Sequence, residues 1–489
     1  MSDRLLLRRT ATTLRPDQSR VLLRPFTPGD DARIAAIVAR VLELSEESVD
    51  QLLAETTAEF SRRHEGIEQH FLDRFEEVRG LTSTQISEPR RRLIGAYFLA
   101  EYSLESAALF NPSIVPHLDQ TGLAPDALRF ILSLRATGEG HISSITFRTG
   151  IIHGDRRIEV SPPATFLSEP RKIPNPVYEK ALFTRKLREL GCHCAFTHRV
   201  LDQLADSFAL RELRASIDGL LGQAGHGDGV LHEDLRAAES IWILAQSNYD
   251  VEFTPGQEIS AHILFPATPS QRNGIEDARF VRFQNDDGTH LYYATFTAYD
   301  GRVVMPELVE TTDFVRFRFI TLNGPAAKNK GMALFPRKIN GRYAMLSRQD
   351  NESIFLMYSD NVHFWDESQL LLKPVFPWEL VQLGNCGSPI ETDAGWLVLS
   401  HGVGPMRKYC IGAFLLDRDD PSHVIGRLRQ PLLQPNQNER DGYVPNVVYT
   451  CGVILHQGEL IIPYGISDHA TCFATVPVAD VLAAMHDET

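Results

Sequence analysis

The chain has 489 residues, 43% hydrophobic and 23% charged, so it can bury a sizeable core and lacks the composition of a disordered protein. That length exceeds the size at which single cores stop growing, which predicts more than one structural unit. The net charge of -14 disfavours nucleic acid and anionic lipid surfaces as partners.

The amino-terminal segment Met1 to Arg9 is cationic and only briefly apolar. No apolar stretch with a small-residue cleavage site follows it, and no run of ~20 apolar residues occurs elsewhere, so we expect a cytoplasmic protein without a membrane partner. Six cysteines are too few for a disulfide scaffold in so long a chain. The tract Cys192-His193-Cys194 fits no standard zinc pattern, so we expect no metal.

Helical patterns come first along the chain. Apolar residues at helical spacing, amid many charges, run from Asp30 to about Val78 and predict amphipathic helices. Another helix is predicted from Leu93 to Leu109. We assign 1–110 to an N-terminal extension and helical module, which would pack onto the following domain or join subunits of a homo-oligomer.

Sheet patterns follow Asn111-Pro112. Short β-branched and aromatic runs, separated by turn residues, predict a sheet-rich domain over 111–489. Helical periodicity returns at about 176–239, from Pro176 onward, and we treat this stretch as a helical insertion. A strand is predicted again at 241–245.

An Asp shortly before an aromatic residue recurs at Asp250, Asp313 and Asp360. The separations of 63 and 47 residues match propeller blades of about four strands with loop variation. The alternative is that this pattern arises from turn chemistry alone, since Asp often caps turns in any β protein.

Within the segment 274–280, the charged residues Glu276, Asp277 and Arg279 lead directly into an apolar strand predicted at Phe280–Phe283. Successive side chains of an extended strand alternate between faces, so the two carboxylates should not share one cleft. We expect one of them to act as an acid and the other to be structural. The alternative is an ion pair between Glu and Arg at a strand edge.

A hairpin is predicted at 333–348, with an Asn340-Gly341 turn. Lys330 and Arg348 flank it on opposite strands, where they could converge on an anion such as phosphate. The alternative is that both are solvated surface cations. A later polar, Gly-rich loop precedes a strand that ends in His401.

Five different motifs follow one another along the chain: Gly274–Arg279, Asn329-Lys330 with Leu334–Pro336, Gly395–Leu397 with His401–Val403, Leu415–Asp417 with Pro421, and Gly442–Val448 with Tyr464–Asp468. Together they resemble glycoside hydrolase family 130, the β-mannoside phosphorylases and related mannosidases. The resemblance covers about 111 to the C-terminus. It implies an all-β five-bladed β-propeller with the active site in its central cavity, preceded by the N-terminal α-helical module and interrupted by the helical insertion.

The resemblance also implies roles for individual residues. It makes Asp277 the acid, which protonates the glycosidic oxygen through the mannose 3-hydroxyl while a nucleophile attacks C1 from the opposite face. Phosphate, as an anion, needs no general base, whereas water does. The implied phosphate-binding residues are Lys330, Arg348 and His401, with Gln382 where a Lys is usual. The implied substrate-binding residues are Arg135, Ser247, Asn248, Glu276, Arg279 and Asp468.

We therefore expect inverting phosphorolysis of β-mannosides, in which a mannose-containing oligosaccharide and inorganic phosphate give α-mannose 1-phosphate without a further cofactor. Three positions depart from the usual residues of that family: Gln382, Ser347 where a His is common, and Ala278 where a Pro is usual. An inverting β-mannosidase, which uses water in place of phosphate, therefore stays open as an alternative. A second alternative is a non-catalytic mannoside-binding propeller.

Overall fold

The computed structural model describes residues 7–78, 86–173, 177–224, 232–299 and 304–486. Among these, five antiparallel sheets have four or more strands and two have only two. The chain is thus mostly β, with helices concentrated in two stretches. None of the helices in the described ranges is long and apolar enough to cross a membrane.

The strands of the first half are β1 (Arg8–Leu14), β2 (Val21–Pro25), β3 (Leu99–Ser103), β4 (Ala108–Pro116), β5 (Leu128–Thr137), β6 (Ser143–Ile152), β7 (Ile158–Val160), β8 (Arg171–Lys172), β9 (Val177–Glu179), β10 (Ser207–Ala209), β11 (Tyr249–Glu252) and β12 (Ile263–Leu264). Those of the second half are β13 (Ile275–Gln284), β14 (His290–Tyr299), β15 (Val304–Thr311), β16 (Arg316–Thr321), β17 (Lys330–Leu334), β18 (Tyr343–Arg348), β19 (Ile354–Ser359), β20 (Gln369–Leu372), β21 (Gln382–Asn385), β22 (Ile390–Thr392), β23 (Gly395–Val403), β24 (Tyr409–Leu416), β25 (Val424–Arg427), β26 (Val448–Tyr449), β27 (Ile454–His456), β28 (Glu459–Ile466) and β29 (Ala470–Pro477). The helices are α1 (Asp31–Leu42), α2 (Glu46–Phe60), α3 (Ile67–Val78), α4 (Glu88–Ala96), α5 (Lys180–Glu189), α6 (Ala195–Asp202), α7 (Leu210–Ala224), α8 (His232–Gln246) and α9 (Val478–Ala483).

The predicted amphipathic helices of the N-terminal stretch are confirmed as α1 to α3. Asp30 and Ser45 cap α1 and α2, because each side-chain oxygen accepts a hydrogen bond from a backbone N–H of the first turn. The predicted helix from Leu93 to Leu109 is wrong beyond α4. There β3 pairs with β2 and β4 pairs with β5, and these distant strand partners override the local helical spacing.

The helical insertion is observed as α5 to α8. Its predicted start at Pro176 lies outside the described residues. The strand predicted at 241–245 is wrong, because these residues continue α8. Ile241 and Leu244 lie on one side of that helix and are buried against Phe196 and Val200 of α6. A helix therefore buries the apolar side chains of this short segment, whose pattern by itself fits a helix or a strand.

Two copies of the Asp-aromatic repeat fall in one sheet, because β11 pairs with β16. The repeat spacing therefore does not correspond to successive sheets. The Asp313 carboxylate accepts hydrogen bonds from the backbone N–H groups of Val315 and Arg316, each at 2.8 Å. At this copy, the alternative of local turn chemistry accounts for the pattern.

The N-terminal residues are built into the β region. Strand β1 pairs with β29, the last strand of the chain. Arg20 and Arg148 both contact the fully buried carboxylate of Glu105, at 3.0 and 2.6 Å. Strand β4 runs across the boundary predicted between 110 and 111, which itself stays a prediction.

Candidate active site

Asp277 lies in a β-bulge near the start of β13. The register with β14 shifts between Glu276 and Arg279, and Asp277 has a φ of 55°, in the left-handed region. Both carboxylates consequently reach Arg135, Glu276 at 2.8 Å and Asp277 at 3.3 Å. The prediction that strand alternation separates them is wrong, because a bulge inserts one extra residue and redirects the side chains.

Asn111 is a site residue that the sequence analysis missed. Its side-chain amide donates to Asp277 Oδ1 at 2.7 Å. It lies in a second bulge, where the register of β4 shifts between Phe110 and Ser113, and its φ is 49°. The available signal was an Asn inside an apolar run, followed by a Pro that cannot donate a ladder hydrogen bond.

Glu276 is held between two cations. Arg135 binds one carboxylate oxygen, and Lys330 Nζ binds the other at 3.0 Å. Arg135 is itself oriented by Ser143, whose hydroxyl accepts from Arg135 Nε at 2.9 Å. Both carboxylate oxygens of Glu276 are thus bound by cations. The carboxylate of Asp277 has fewer close ion-pair partners than that of Glu276.

The predicted hairpin after Lys330 is confirmed by β17 and β18. Asn340 and Gly341 have φ values of 50° and 79°, which suit the tight turn of a hairpin. Lys330 and Arg348 are direct cross-strand partners. The hairpin therefore brings a cation from each strand to one end of the sheet.

Buried polar groups gather beyond this hairpin end. Arg348 contacts His401 Nε2 at 3.4 Å, and the Gln382 amide lies 3.5 Å from the same nitrogen. Arg279 donates to the Tyr449 hydroxyl at 2.6 Å. The Nε atoms of Arg279 and Arg348 have no hydrogen-bond partner in the part of the chain that the structure describes.

Burial and neighbouring charges lower the pKa values of two groups in this cluster. Burial, reinforced by Arg348 and Arg279, lowers the pKa of His401 well below its ordinary value, so the ring is neutral near neutral pH and can donate one N–H. Burial also lowers the pKa of Arg348. Within the described ranges, neither Arg279 nor Arg348 forms an ion pair with a carboxylate, so the cluster has the charge to accept an anion.

Asp277 is ionised in the unliganded protein. Burial by itself raises the pKa of this carboxyl, but Arg135, Arg279 and the Asn111 amide together hold it below its ordinary value. The site therefore combines a carboxylate with a neutral imidazole and two guanidinium groups that form no ion pair with a carboxylate in the described ranges.

Asp468 is a second carboxyl near Asp277. It follows Ser467 in the turn between β28 and β29, where both residues have positive φ. Burial, and then the charge of Asp277, raises the pKa of Asp468 to about 6, although Arg135 opposes this effect. The charges of Asp468 and Asp277 therefore influence each other, and substrate binding by Asp468 stays a prediction.

Ser247 and Asn248 are not brought to this cluster. Ser247 Oγ donates to the carbonyl of Ile243, and the Asn248 amide donates to the carbonyl of Leu244. Both residues follow the C-terminal end of α8, where free carbonyls attract such side chains. Their polar atoms are engaged at this helix end, and their role in substrate binding stays a prediction.

The remaining predicted residues lie together. Arg135, Glu276 and Lys330 form one ion-pair network. Arg279, Arg348 and His401 interact electrostatically with Asp277, and Gln382 lies beside His401. Of the described residues, no three His, Cys, Asp or Glu side chains are placed to hold a metal ion.

Comparison with known proteins places these residues in context. A family model described as beta-1,4-mannooligosaccharide phosphorylase matches residues 245–487. A 1,2-beta-oligomannan phosphorylase of Thermoanaerobacter sp. (strain X514) is 34% identical over 222 residues, which are 44% of this chain and 72% of the relative. A beta-1,2-mannobiose phosphorylase of Listeria innocua is 32% identical over 232 residues, 46% of this chain and 64% of the relative.

A solved structure is also similar. The beta-1,2-mannobiose complex of the Listeria innocua enzyme matches with a TM-score of 0.45 and 21% sequence identity, over 77% of this chain and 92% of that chain. The matched family segment contains Asp277 and the residues of its cationic side. Asn111 and Arg135, which contact Asp277, precede that segment.

Proposed function

Because this chain belongs to glycoside hydrolase family 130, we propose that it catalyses inverting phosphorolysis of β-mannosides with Asp277 as the proton donor. Phosphate attacks C1 of the mannosyl unit, and the C1–O bond to the leaving saccharide breaks. Asp277 supplies the proton that the leaving oxygen requires, through the mannose 3-hydroxyl. The products are α-mannose 1-phosphate and the shortened saccharide.

One observation carries the choice of phosphate as nucleophile. Arg279 is buried and Arg348 is half-buried beside His401, and neither forms an ion pair with a carboxylate in the described part of the chain. Buried charges require compensation, and a phosphate anion offers it through charge-assisted hydrogen bonds. Water offers no such compensation and would also need a general base.

Phosphate binding would prepare Asp277 to donate a proton. The pKa of Asp277 is low because Arg135, Arg279 and Lys330 stabilise the carboxylate. An anion bound against these cations cancels part of their field and raises the pKa of the carboxyl. Proton donation is thereby coupled to the presence of the nucleophile.

Hydrolysis is the second candidate. Gln382 lies beside His401 as an uncharged amide, where a cation would strengthen phosphate binding. A β-mannosidase would need a carboxylate free to activate water, and Glu276 is already bound by Arg135 and Lys330. The geometry therefore favours phosphorolysis.

We also propose that the five larger sheets are the blades of a five-bladed propeller. They contain four to six strands each and are antiparallel throughout. Pairing of β1 with β29 supports closure, since it joins the start of the chain to the last sheet. The cytoplasmic location, the absence of a cofactor, the absence of nucleic-acid and membrane partners, and a homo-oligomer built on the N-terminal helices stay predictions.

The test is product analysis with β-1,2-mannobiose as substrate, with and without phosphate. We expect α-mannose 1-phosphate only when phosphate is present. The Asp277→Asn variant should lose turnover but keep its affinity for the disaccharide. Release of free mannose in phosphate-free buffer would instead establish the hydrolase.

A further inference from the structure

We propose that Tyr443 and His141 form a platform for the departing saccharide at the rim of the active site and determine which saccharide is accepted. This inference rests on the phosphorolysis proposed above. The two rings stack with centroids 5.6 Å apart and an interplanar angle of 27°. Tyr443 is 59% exposed although its ring is held in this stack.

The loop of His141 starts from the catalytic cluster. It joins β5 to β6, and the paired ends of those strands carry Arg135 and Ser143, which contact each other. His141 has a φ of 60°, so the loop turns sharply at this residue. His141 is therefore only a few residues from the guanidinium that binds Asp277.

The loop of Tyr443 is fixed to the turn that carries Asp468. The N–H of Val444 donates to the carbonyl of Ser467 at 3.1 Å, and Asp468 follows directly. A Cβ at Gly442 would lie 2.4 Å from that carbonyl oxygen, so only glycine permits this approach. The stacked pair thus bridges the loops that bring Arg135 and Asp468 to the acid.

A third loop adds polar groups to the rim. Met406 and Arg407 lie in the turn between β23 and β24, and Tyr409 N–H ties this turn to the carbonyl of Asn446 at 3.0 Å. Met406 is 90% exposed. The charge of Arg407 acts on the carboxyl of Asp468 and opposes the rise of its pKa.

These features fit a neutral pyranoside. A sugar ring presents a face of C–H groups and a perimeter of hydroxyls. The exposed face of Tyr443 can pack against the C–H face, while Arg407 and Asp468 can bond hydroxyls. Because the stack already holds the ring in place, binding costs little side-chain entropy. The alternative is that the stack only stabilises the His141 loop.

The test separates these two roles by steady-state kinetics. We expect Tyr443→Ala to raise the KM for β-1,2-mannobiose, and for mannose as acceptor in the reverse reaction, by ~10-fold, and to leave the KM for phosphate unchanged. Tyr443→Phe should restore most of the lost affinity because it keeps the ring. Tyr97→Ala, at another exposed tyrosine following α4, is the matched control.

An unchanged saccharide KM in Tyr443→Ala would overturn the platform, as would an equal rise in the KM for phosphate. Calorimetric titration of the wild type and Tyr443→Ala with β-1,2-mannobiose in phosphate-free buffer tests binding without turnover. Weaker binding by the variant supports the platform even if phosphorolysis is not found. Equal binding, or no binding by either protein, overturns it.

Discussion

Asn111 donates its side-chain amide to Asp277 at 2.7 Å, although 166 residues separate them in the chain. The bond joins a bulge in β4 to a bulge in β13. It stabilises the carboxylate and contributes to the lowered pKa of the acid. The proposed general acid is thus kept ionised in part by a residue outside the matched family segment.

The first prediction concerns this hydrogen bond. Asn111→Ala removes a donor to the carboxylate, so the pKa of Asp277 should rise and the alkaline limb of the kcat/KM profile should move to higher pH. Turnover should fall roughly tenfold, because the carboxyl is less well positioned. Asn285→Ala, in an exposed turn, is the control. A limb that stays in place, or moves to lower pH, would contradict the assignment.

The second prediction concerns phosphate. Arg348→Ala removes a half-buried guanidinium and should raise the KM for phosphate by about 10- to 100-fold, the worth of one charge-assisted hydrogen bond. The KM for the mannoside should change little. Arg342→Ala, on the same hairpin but half exposed and paired with Asp360, is the control. Initial rates across a phosphate series give both constants, and a change confined to the mannoside KM would place Arg348 in the sugar site.

The third prediction concerns Gln382, whose neutral side-chain amide lies beside His401. Gln382→Lys should lower the KM for phosphate several-fold, because an ammonium replaces a neutral group beside His401. Without phosphate, the new charge faces Arg348 and Arg279, so the melting temperature should fall and recover when phosphate is added. Gln382→Met keeps the length without charge and serves as the control. A KM for phosphate that does not fall would place position 382 outside the anion site.

The fourth prediction concerns Glu307, a fully buried carboxyl on β15. It accepts hydrogen bonds from Ser270 and Gln271, and burial raises its pKa to about 7, with the charge of Lys186 opposing this. The folded state keeps this proton longer than the unfolded chain, whose ordinary value is 4.5. Stability should therefore fall as pH rises from about 4.5 to about 7, by on the order of 3 kcal/mol, and then level off.

Urea unfolding at several pH values checks this contribution. Glu307→Gln resembles the protonated carboxyl, so it should match the wild type near pH 5 and exceed it near pH 8. Glu352→Gln, at an exposed position, should leave the pH dependence of stability unchanged. A wild-type pH dependence that survives in Glu307→Gln would show that other groups cause it.

Local patterns predicted much of the fold. The amphipathic helices before Val78, the insertion helices and the hairpin around Asn340-Gly341 all formed as expected, because each depends on residues near one another in sequence. The errors lie at 97–109 and 241–245. In those stretches the helical and strand patterns are both plausible, and partners far along the chain decide between them.

The sequence by itself predicted which residue types supply the site, because the motif order pointed to Asp277, Lys330, Arg348 and His401, whose roles stay predictions. Only the tertiary structure decided how the two carboxylates are engaged, because the bulge in β13 turns Glu276 and Asp277 toward one guanidinium. It also decided that Asn111 contacts the acid and that Ser247 and Asn248 do not. Side-chain direction at a bulge, and contacts between distant strands, depend on register and packing, which local spacing does not encode.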